Sequence, residues 1–175
     1  MAHEDEHTRN ILSVLVQDVD GIITRVTALF TRRGYNLVSL VSAKTETEGI
    51  NRLTIVVNAS EYAIEQITKQ LNKLIQVIKV VRLEDDTTIA RSLLLVKVNA
   101  NNQNRAQVVE TANIFRARVV DVSADSLVLE ATGTPEKLQA FIDVVETFGV
   151  REMIQSGQVA LTRGPKTMAP SRKLH

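Results

Sequence analysis

Between Asn10 and Asn36 the chain runs NILSVLVQDVDGIITRVTALFTRRGYN, and those residue types can hold a small acid but do not equip a site to transform one. Asp18-Val19-Asp20-Gly21-Ile22-Ile23 reads as a short acidic turn between a strand and a helix. A turn of that kind presents unpaired backbone N–H groups at the positive end of the helix, where a carboxylate can sit. Asp18, or Asn36 at the head of the next strand, can supply an oxygen for an ammonium group. Gly21 lets a ligand approach closely because it has no side chain. The stretch holds no histidine, no activated nucleophile and no metal-ligand cluster, so it suits a sensor of an amino acid better than a catalyst. Spacing alone leaves a second reading open. Asp18 or Asp20 could simply cap the helix, and strand–acid–glycine–helix turns are common.

Nothing elsewhere in the chain supplies catalytic machinery. His3 and His7 fall in the acidic leader MAHEDEHTRN and His175 is the last residue, where frayed chain cannot hold an imidazole in register. His3 and His7 at i,i+4 spacing could chelate a metal weakly, but a solvated tail is the favoured account. The expected catalytic and metal residues are therefore none. The absence of cysteine removes disulfides, thiolate chemistry and zinc–thiolate sites. Charge is balanced, with 21 basic against 20 acidic residues, so no broad field recruits nucleic acid or an anionic membrane. No apolar run approaches the ~20 residues that span a bilayer, and no signal peptide is evident. A cytoplasmic protein is expected, or a plastid-stromal one if the source is eukaryotic and the chain already processed.

The elements that would position the turn recur twice. Asn10 to Gln17 reads as a strand, Gly21 to Arg33 as an amphipathic helix, and Tyr35 to Ala43 and Asn51 to Asn58 as strands. Ser60 is a plausible N-cap for a helix carrying Ile64, Ile67, Leu71 and Leu74 on one face, and Gln76 to Leu83 is a last strand. After the charged break Glu84-Asp85-Asp86-Thr87-Thr88, the order returns. Ser92 to Val98 is a strand, Arg105 to Phe115 a helix, and Ala117 to Val122 and Leu127 to Ala131 are strands. Thr134-Pro135-Glu136 starts a further helix, and Val150 to Ile154 with Gln158 to Leu161 supply terminal strands around Gly157. The fold class is α+β: two tandem ferredoxin-like βαββαβ domains. Residues 8–83 form the first, 84–91 a linker, 92–164 the second, and 165–175 a loose basic tail.

The strands are apolar on both faces. Leu12, Val14 and Val16 alternate with Ile11 and Leu15, and Leu53, Ile55 and Val57 flank Val56. A sheet with one face in water would show polar residues there. Burial by a second copy or another protein is expected, in preference to mutual cover by the two domains.

SVLVQDVDGIITRVTALFTRRGYNLVSL closely resembles the opening of the acetohydroxyacid synthase (acetolactate synthase) small regulatory subunits, which begin with an ACT domain. EQITKQLNKLIQVIKV resembles that domain's second helix and last strand. LLLVKVN, NIFRARVVDVSADSLVLEATGTPEKLQAFID and SGQVALTRG resemble the family's C-terminal domain. The match runs from about Thr8 to Gly164, and Arg33-Gly34-Tyr35-Asn36 and Ile114-Phe115-Arg116-Ala117 are specific to this family rather than to ACT domains at large.

The resemblance implies a subunit that is not an enzyme by itself. It implies binding to, and activation of, a catalytic large subunit that carries thiamine diphosphate, FAD and Mg²⁺, with no cofactor in this chain. It implies feedback inhibition by valine, or by leucine or isoleucine, bound between the ACT domains of a homodimer. Carried onto this sequence, the effector contacts are Asp18, Gly21, Ile22 and Ile23 from one protomer and Asn36 and Leu37 from its neighbour. Asp18 stands where many members have Asn. The alternative is a stand-alone amino-acid-sensing ACT protein that regulates a different enzyme. RNA-binding domains share the βαββαβ order, but they stack bases on strand aromatics. This chain is 3% aromatic and its phenylalanines fall on predicted helices. A small phosphatase-like enzyme on the same fold would need a glycine-rich phosphate loop, which is missing.

Overall fold

The computed structural model describes residues 7–168, and the contacts within it divide the chain into two units. The first unit comprises residues up to Ile89 together with those from Gln158 onward; the second is Ala90–Gly157.

The first unit runs β1 (Thr8–Gln17), α1 (Ile22–Arg32), β2 (Asn36–Lys44), β3 (Ile50–Ala59), α2 (Glu61–Asn72) and β4 (Val77–Leu83). Its four-stranded sheet has the order β2-β3-β1-β4, with every neighbouring pair antiparallel. The period-2 pattern of β1 and β3 sends Leu12, Val14, Val16, Leu53, Ile55 and Val57 to one face. There they meet Ile22, Val26 and Phe30 of α1 and Ile64, Ile67 and Leu71 of α2. α2 begins as its sequence predicts, with the Ser60 hydroxyl accepting from the Ala63 N–H at 3.3 Å.

The second unit repeats the order: β5 (Thr88–Asn99), α3 (Arg105–Ile114), β6 (Arg118–Val122), β7 (Ser126–Gly133), α4 (Pro135–Val145) and β8 (Val150–Gln155). Strands follow β6-β7-β5-β8, the arrangement of the first unit, and a fifth strand pairs β5 off this path. Its core joins Leu94, Val96, Val98, Leu127 and Leu129 to Val108, Leu138, Phe141, Ile142 and Val145. Thr134 caps α4 from the Lys137 N–H at 3.4 Å, with Pro135 at the first helical position. The α+β class with tandem ferredoxin-like sheets holds.

One boundary differs from expectation. The charged break is shorter than its composition suggests: a single 3₁₀ turn at Asp85–Thr87 leads straight into β5, which starts at Thr88 rather than Ser92. Strand β9 (Val159–Thr162) pairs β5 in the second sheet, while the contacts of the segment from Gln158 onward group with the first unit. Arg163 N–H donates to the Thr87 carbonyl at 2.7 Å, and the Arg9 guanidinium donates to the Gln158 side chain. Of the tail expected to be loose, Met168 is 6% exposed, and residues 169–175 lie outside the described residues.

The second face of the first sheet is apolar, as its alternation predicts: Ile11, Leu15 and Val56 are at most 3% exposed, and Ser13 and Thr54 beside them are buried as well.

Candidate functional site

The turn after β1 is tied down at its root. Gln17 N–H donates to the Gln76 carbonyl and Asp18 N–H to the Gly49 carbonyl, both at 2.9 Å. The second bond fastens the turn to the β2–β3 hairpin. Val19 N–H closes on the Gln17 carbonyl at 3.0 Å, and Ile22 N–H on the Val19 carbonyl at 3.3 Å.

Gly21 enters α1 as its N-cap at φ 79°, in the left-handed region. A residue with a Cβ pays about 1–2 kcal/mol there, which is sufficient reason for glycine. Crowding inside the chain is not a reason, since a Cβ at Gly21 would meet no atom within 4 Å.

No side chain caps α1, and its first turn contains no acid. Asp18 and Asp20 are exposed, and neither carboxylate takes a helix N–H among the described residues. The capping alternative therefore fails. The N–H groups of Gly21, Ile23 and Thr24 are left without an acceptor among the described residues. The partial positive charge of the helix end is uncompensated there. Val19 and Ile23, 41% and 37% exposed, give the turn an apolar rim. Ile22 differs from its neighbours. Its side chain is in the core and its N–H is already engaged, so it anchors the turn and offers nothing outward.

Asn36 and Leu37 belong to a different place. α1 ends with Gly34 N–H on the Thr31 carbonyl at 3.2 Å and Tyr35 N–H on the Phe30 carbonyl at 3.1 Å, Gly34 standing at φ 67°. The chain then enters β2, an edge strand. Asn36 is exposed and pairs with Asn58, while Leu37 pairs with Val57 and leans on the core. The register slips between Leu37 and Ser39, and Val38 is pushed out to 52% exposure.

The pairing fixes how far apart the two halves lie. Gln17 is opposite Ile50 on β3, and Asn36 is opposite Asn58 on the same strand. Those β3 positions are eight residues apart, roughly 27 Å at a strand rise of about 3.4 Å. The structure thus groups Asp18, Gly21, Ile22 and Ile23, and separately Asn36 and Leu37, at opposite ends of one sheet. Sequence reasoning missed the role of Gly49, because Thr47-Glu48-Gly49 signals a hairpin turn but not that its carbonyl faces Asp18. It also missed Val38, whose exposure comes from a bulge that strand periodicity does not reveal.

Among the described residues no cluster of three or more histidines or carboxylates could hold a metal ion. His3 and His175 lie outside the described residues, and His7 is exposed. No helix among them is long and apolar enough to cross a membrane.

Comparison with known proteins places this geometry. The AHAS small subunit-like ACT domain matches residues 12–79, which contain both halves of the site, and the description "small subunit of acetolactate synthase" matches residues 91–164. The acetolactate synthase small subunit of Mycolicibacterium smegmatis is 52% identical over 92% of this chain and 95% of its own length. The chain belongs to the acetolactate synthase small-subunit family. A probable member from the archaeon Methanothermobacter thermautotrophicus is 45% identical over 94% of this chain and 99% of its own. The crystal structure of the Thermotoga maritima small subunit superposes with a TM-score of 0.85 at 33% identity, over 91% of this chain and 99% of that one. In family terms the turn and the bulged edge strand are both features of the ACT portion.

Proposed function

We propose that this chain is the regulatory subunit of a cytoplasmic acetolactate synthase. It activates a catalytic large subunit, which carries the thiamine diphosphate, FAD and Mg²⁺, and makes that subunit sensitive to valine, leucine or isoleucine. The observation that carries the effector reading is the uncapped N-terminus of α1. Gly21, Ile23 and Thr24 offer free N–H groups beside two exposed carboxylates and an apolar rim. Those are the three chemistries a zwitterionic aliphatic amino acid needs.

The two halves lie at opposite ends of the sheet, so a complete site requires two copies. A two-fold pairing brings the Asp18–Ile23 turn of one to Asn36 and Leu37 of the other. In that arrangement the N–H groups take the ligand carboxylate, and Asp18 with Asn36 takes the ammonium. Ile22 fixes the turn and Leu37 bounds the aliphatic side chain. In domain terms, residues 8–83 sense the effector and 92–164 make up the second domain.

Regulation then follows by linkage. An effector that favours the paired arrangement by a factor of 10 shifts the enzyme toward its less active state by about 1.4 kcal/mol. Reconstitution with the large subunit tests this. The chain alone is expected to form no acetolactate, to raise the large subunit's rate, and to make that rate fall with valine, leucine or isoleucine. Synthase turnover by the isolated chain would sink the proposal. Gly21→Asp, which puts a third carboxylate among the amides, is expected to abolish inhibition and spare activation.

A further inference from the structure

The first unit holds a second concave site, built from elements other than the effector turn and the head of β2. It is a cleft of about 390 Å³, within the range of small-molecule sites. Glu46 and Arg52 reach it from the β2–β3 hairpin, Leu83 from the end of β4, and Leu161, Lys166 and Met168 from the C-terminal segment. Leu83 and Met168 are each 6% exposed and supply an apolar floor. Glu46 and Lys166 are exposed at the lip and Arg52 is half-buried. None of the three makes an ion pair with a described residue.

Two cations and one carboxylate around an apolar floor have a definite complement. A plain acid would meet Glu46, and a plain amine would meet Arg52 and Lys166. A zwitterion satisfies all three, and an aliphatic side chain covers the floor. We propose that this cleft is a second small-molecule site, taking an α-amino acid with an aliphatic side chain. Its carboxylate lies on Arg52 and Lys166, its ammonium on Glu46, and its side chain on Leu83 and Met168.

The walls are held from both directions. The C-terminal segment is fastened by the Arg163–Thr87 backbone bond and the Arg9–Gln158 side-chain bond. The hairpin that carries Glu46 and Arg52 also carries Gly49, whose carbonyl holds the Asp18 N–H. A ligand in the cleft therefore stiffens the hairpin on which the effector turn hangs, without touching the turn. This site goes beyond the effector reading and does not depend on it.

The test uses the full chain, titrated with L-leucine and followed by backbone amide spectra and calorimetry. 4-Methylpentanoate and isopentylamine, which lack the ammonium and the carboxylate respectively, run alongside. In the Gly21→Asp protein L-leucine is expected still to shift the amides of Glu46, Arg52 and Lys166. Either half-ligand should bind about tenfold more weakly or worse, and Arg52→Ala should lower leucine affinity by about tenfold. Glu46→Gln should narrow the gap between leucine and 4-methylpentanoate. Shifts confined to residues 18–24 and 36–38 that vanish with Gly21→Asp would overturn the proposal. So would equal binding of leucine and isopentylamine, which would mean apolar adsorption only. Removal of residues 169–175 should leave leucine affinity unchanged; a large gain would make the tail the occupant and overturn the amino-acid site.

Discussion

The two units share one fold, yet the loops of their first β–α turns are bonded differently. In the first unit the Asp18 and Asp20 side chains make no bond to the turn or the helix start, and Ile23 and Thr24 N–H have no acceptor among the described residues. In the second, Asn101 and Asn104 close the equivalent turn on itself. The Asn101 side-chain oxygen accepts from Gln103 and Asn104 N–H at 2.9 and 3.2 Å, and Asn104 returns the bond to Asn101 N–H at 2.8 Å. Arg105 adds a clamp on the Ala100, Ser123 and Ala124 carbonyls. The helix starts themselves do not differ: Ala106 and Gln107 N–H of α3 have no acceptor among the described residues, just as Ile23 and Thr24 N–H of α1 have none. The units thus differ in how the loop ahead of the helix is held, by asparagine side chains in the second and by backbone bonds in the first.

The helix ends diverge too. Gly34 and Arg116 occupy the same left-handed position after α1 and α3, at φ 67° and 56°. The two ends have parallel closing bonds: Tyr35 N–H on the Phe30 carbonyl at 3.1 Å, and Ala117 N–H on the Ala112 carbonyl at 2.8 Å. The first unit meets the conformation with glycine, while the second carries an arginine there in spite of the strain.

The comparison assumes equivalent cores, and the largest expected effect tests that. Phe30→Ala and Phe141→Ala, each truncating a fully buried ring, should both cost about 3–5 kcal/mol in denaturant unfolding. A much smaller loss in one would show that the units are not comparably packed. Next, Asn101→Ala should cost about 1–2 kcal/mol, because two N–H groups lose their acceptor. Asp18→Ala should change stability by no more than about 0.5 kcal/mol while altering the response to valine. Equal destabilisation by both would mean that the Asp18 side chain holds its turn as Asn101 holds the other. Exchanging the helix-end residues sharpens the contrast further. Gly34→Ala should lose about 1 kcal/mol, and Arg116→Gly should gain about 0.5 kcal/mol once its greater unfolded freedom is set against the relief.

The smallest effect is a pH dependence confined to the second unit. The hydrogen bond from Arg151, and then its charge, hold the Asp125 carboxyl below its ordinary value of 3.8. A carboxyl lowered on folding contributes stability that is fully present above the unfolded value and lost as pH falls through the folded one. Asp125→Asn should thus lower unfolding stability slightly at pH 7 and leave it unchanged at about pH 2. A difference that persists in acid would point to a cause other than this ion pair.

Much of the architecture was legible from local chemistry. Ser60 and Thr134-Pro135-Glu136 mark helix starts that the structure bears out within a residue, because caps act over one turn of chain. β9 was legible as a strand of the second sheet, where it pairs β5, but the ties of its segment to the first unit were not legible. Those ties rest on Arg9, Thr87 and Gln158, which are far apart in sequence. The second face of β1 was legible in part, since periodicity reports that Ile11 and Leu15 are buried but not by what. At the site, the turn and its glycine were visible in the residue types. The failure of Asp18 and Asp20 to cap is a matter of backbone geometry that spacing does not encode, whereas the inward turn of Ile22 follows from its helical spacing with Val26 and Phe30.

The bulge at Val38 has a consequence for how the protein is made. β2 is a nine-residue edge whose sequence, NLVSLVSAK, carries no charge before Lys44 and no proline. Edge strands of that character invite pairing with any similar strand nearby. The register slip between Leu37 and Ser39 is the one interruption in that row of hydrogen-bonding groups. Chain synthesised in excess of whatever covers β2 is thus expected to clump through this edge, and a cell that makes it has reason to match its supply to that of its partners.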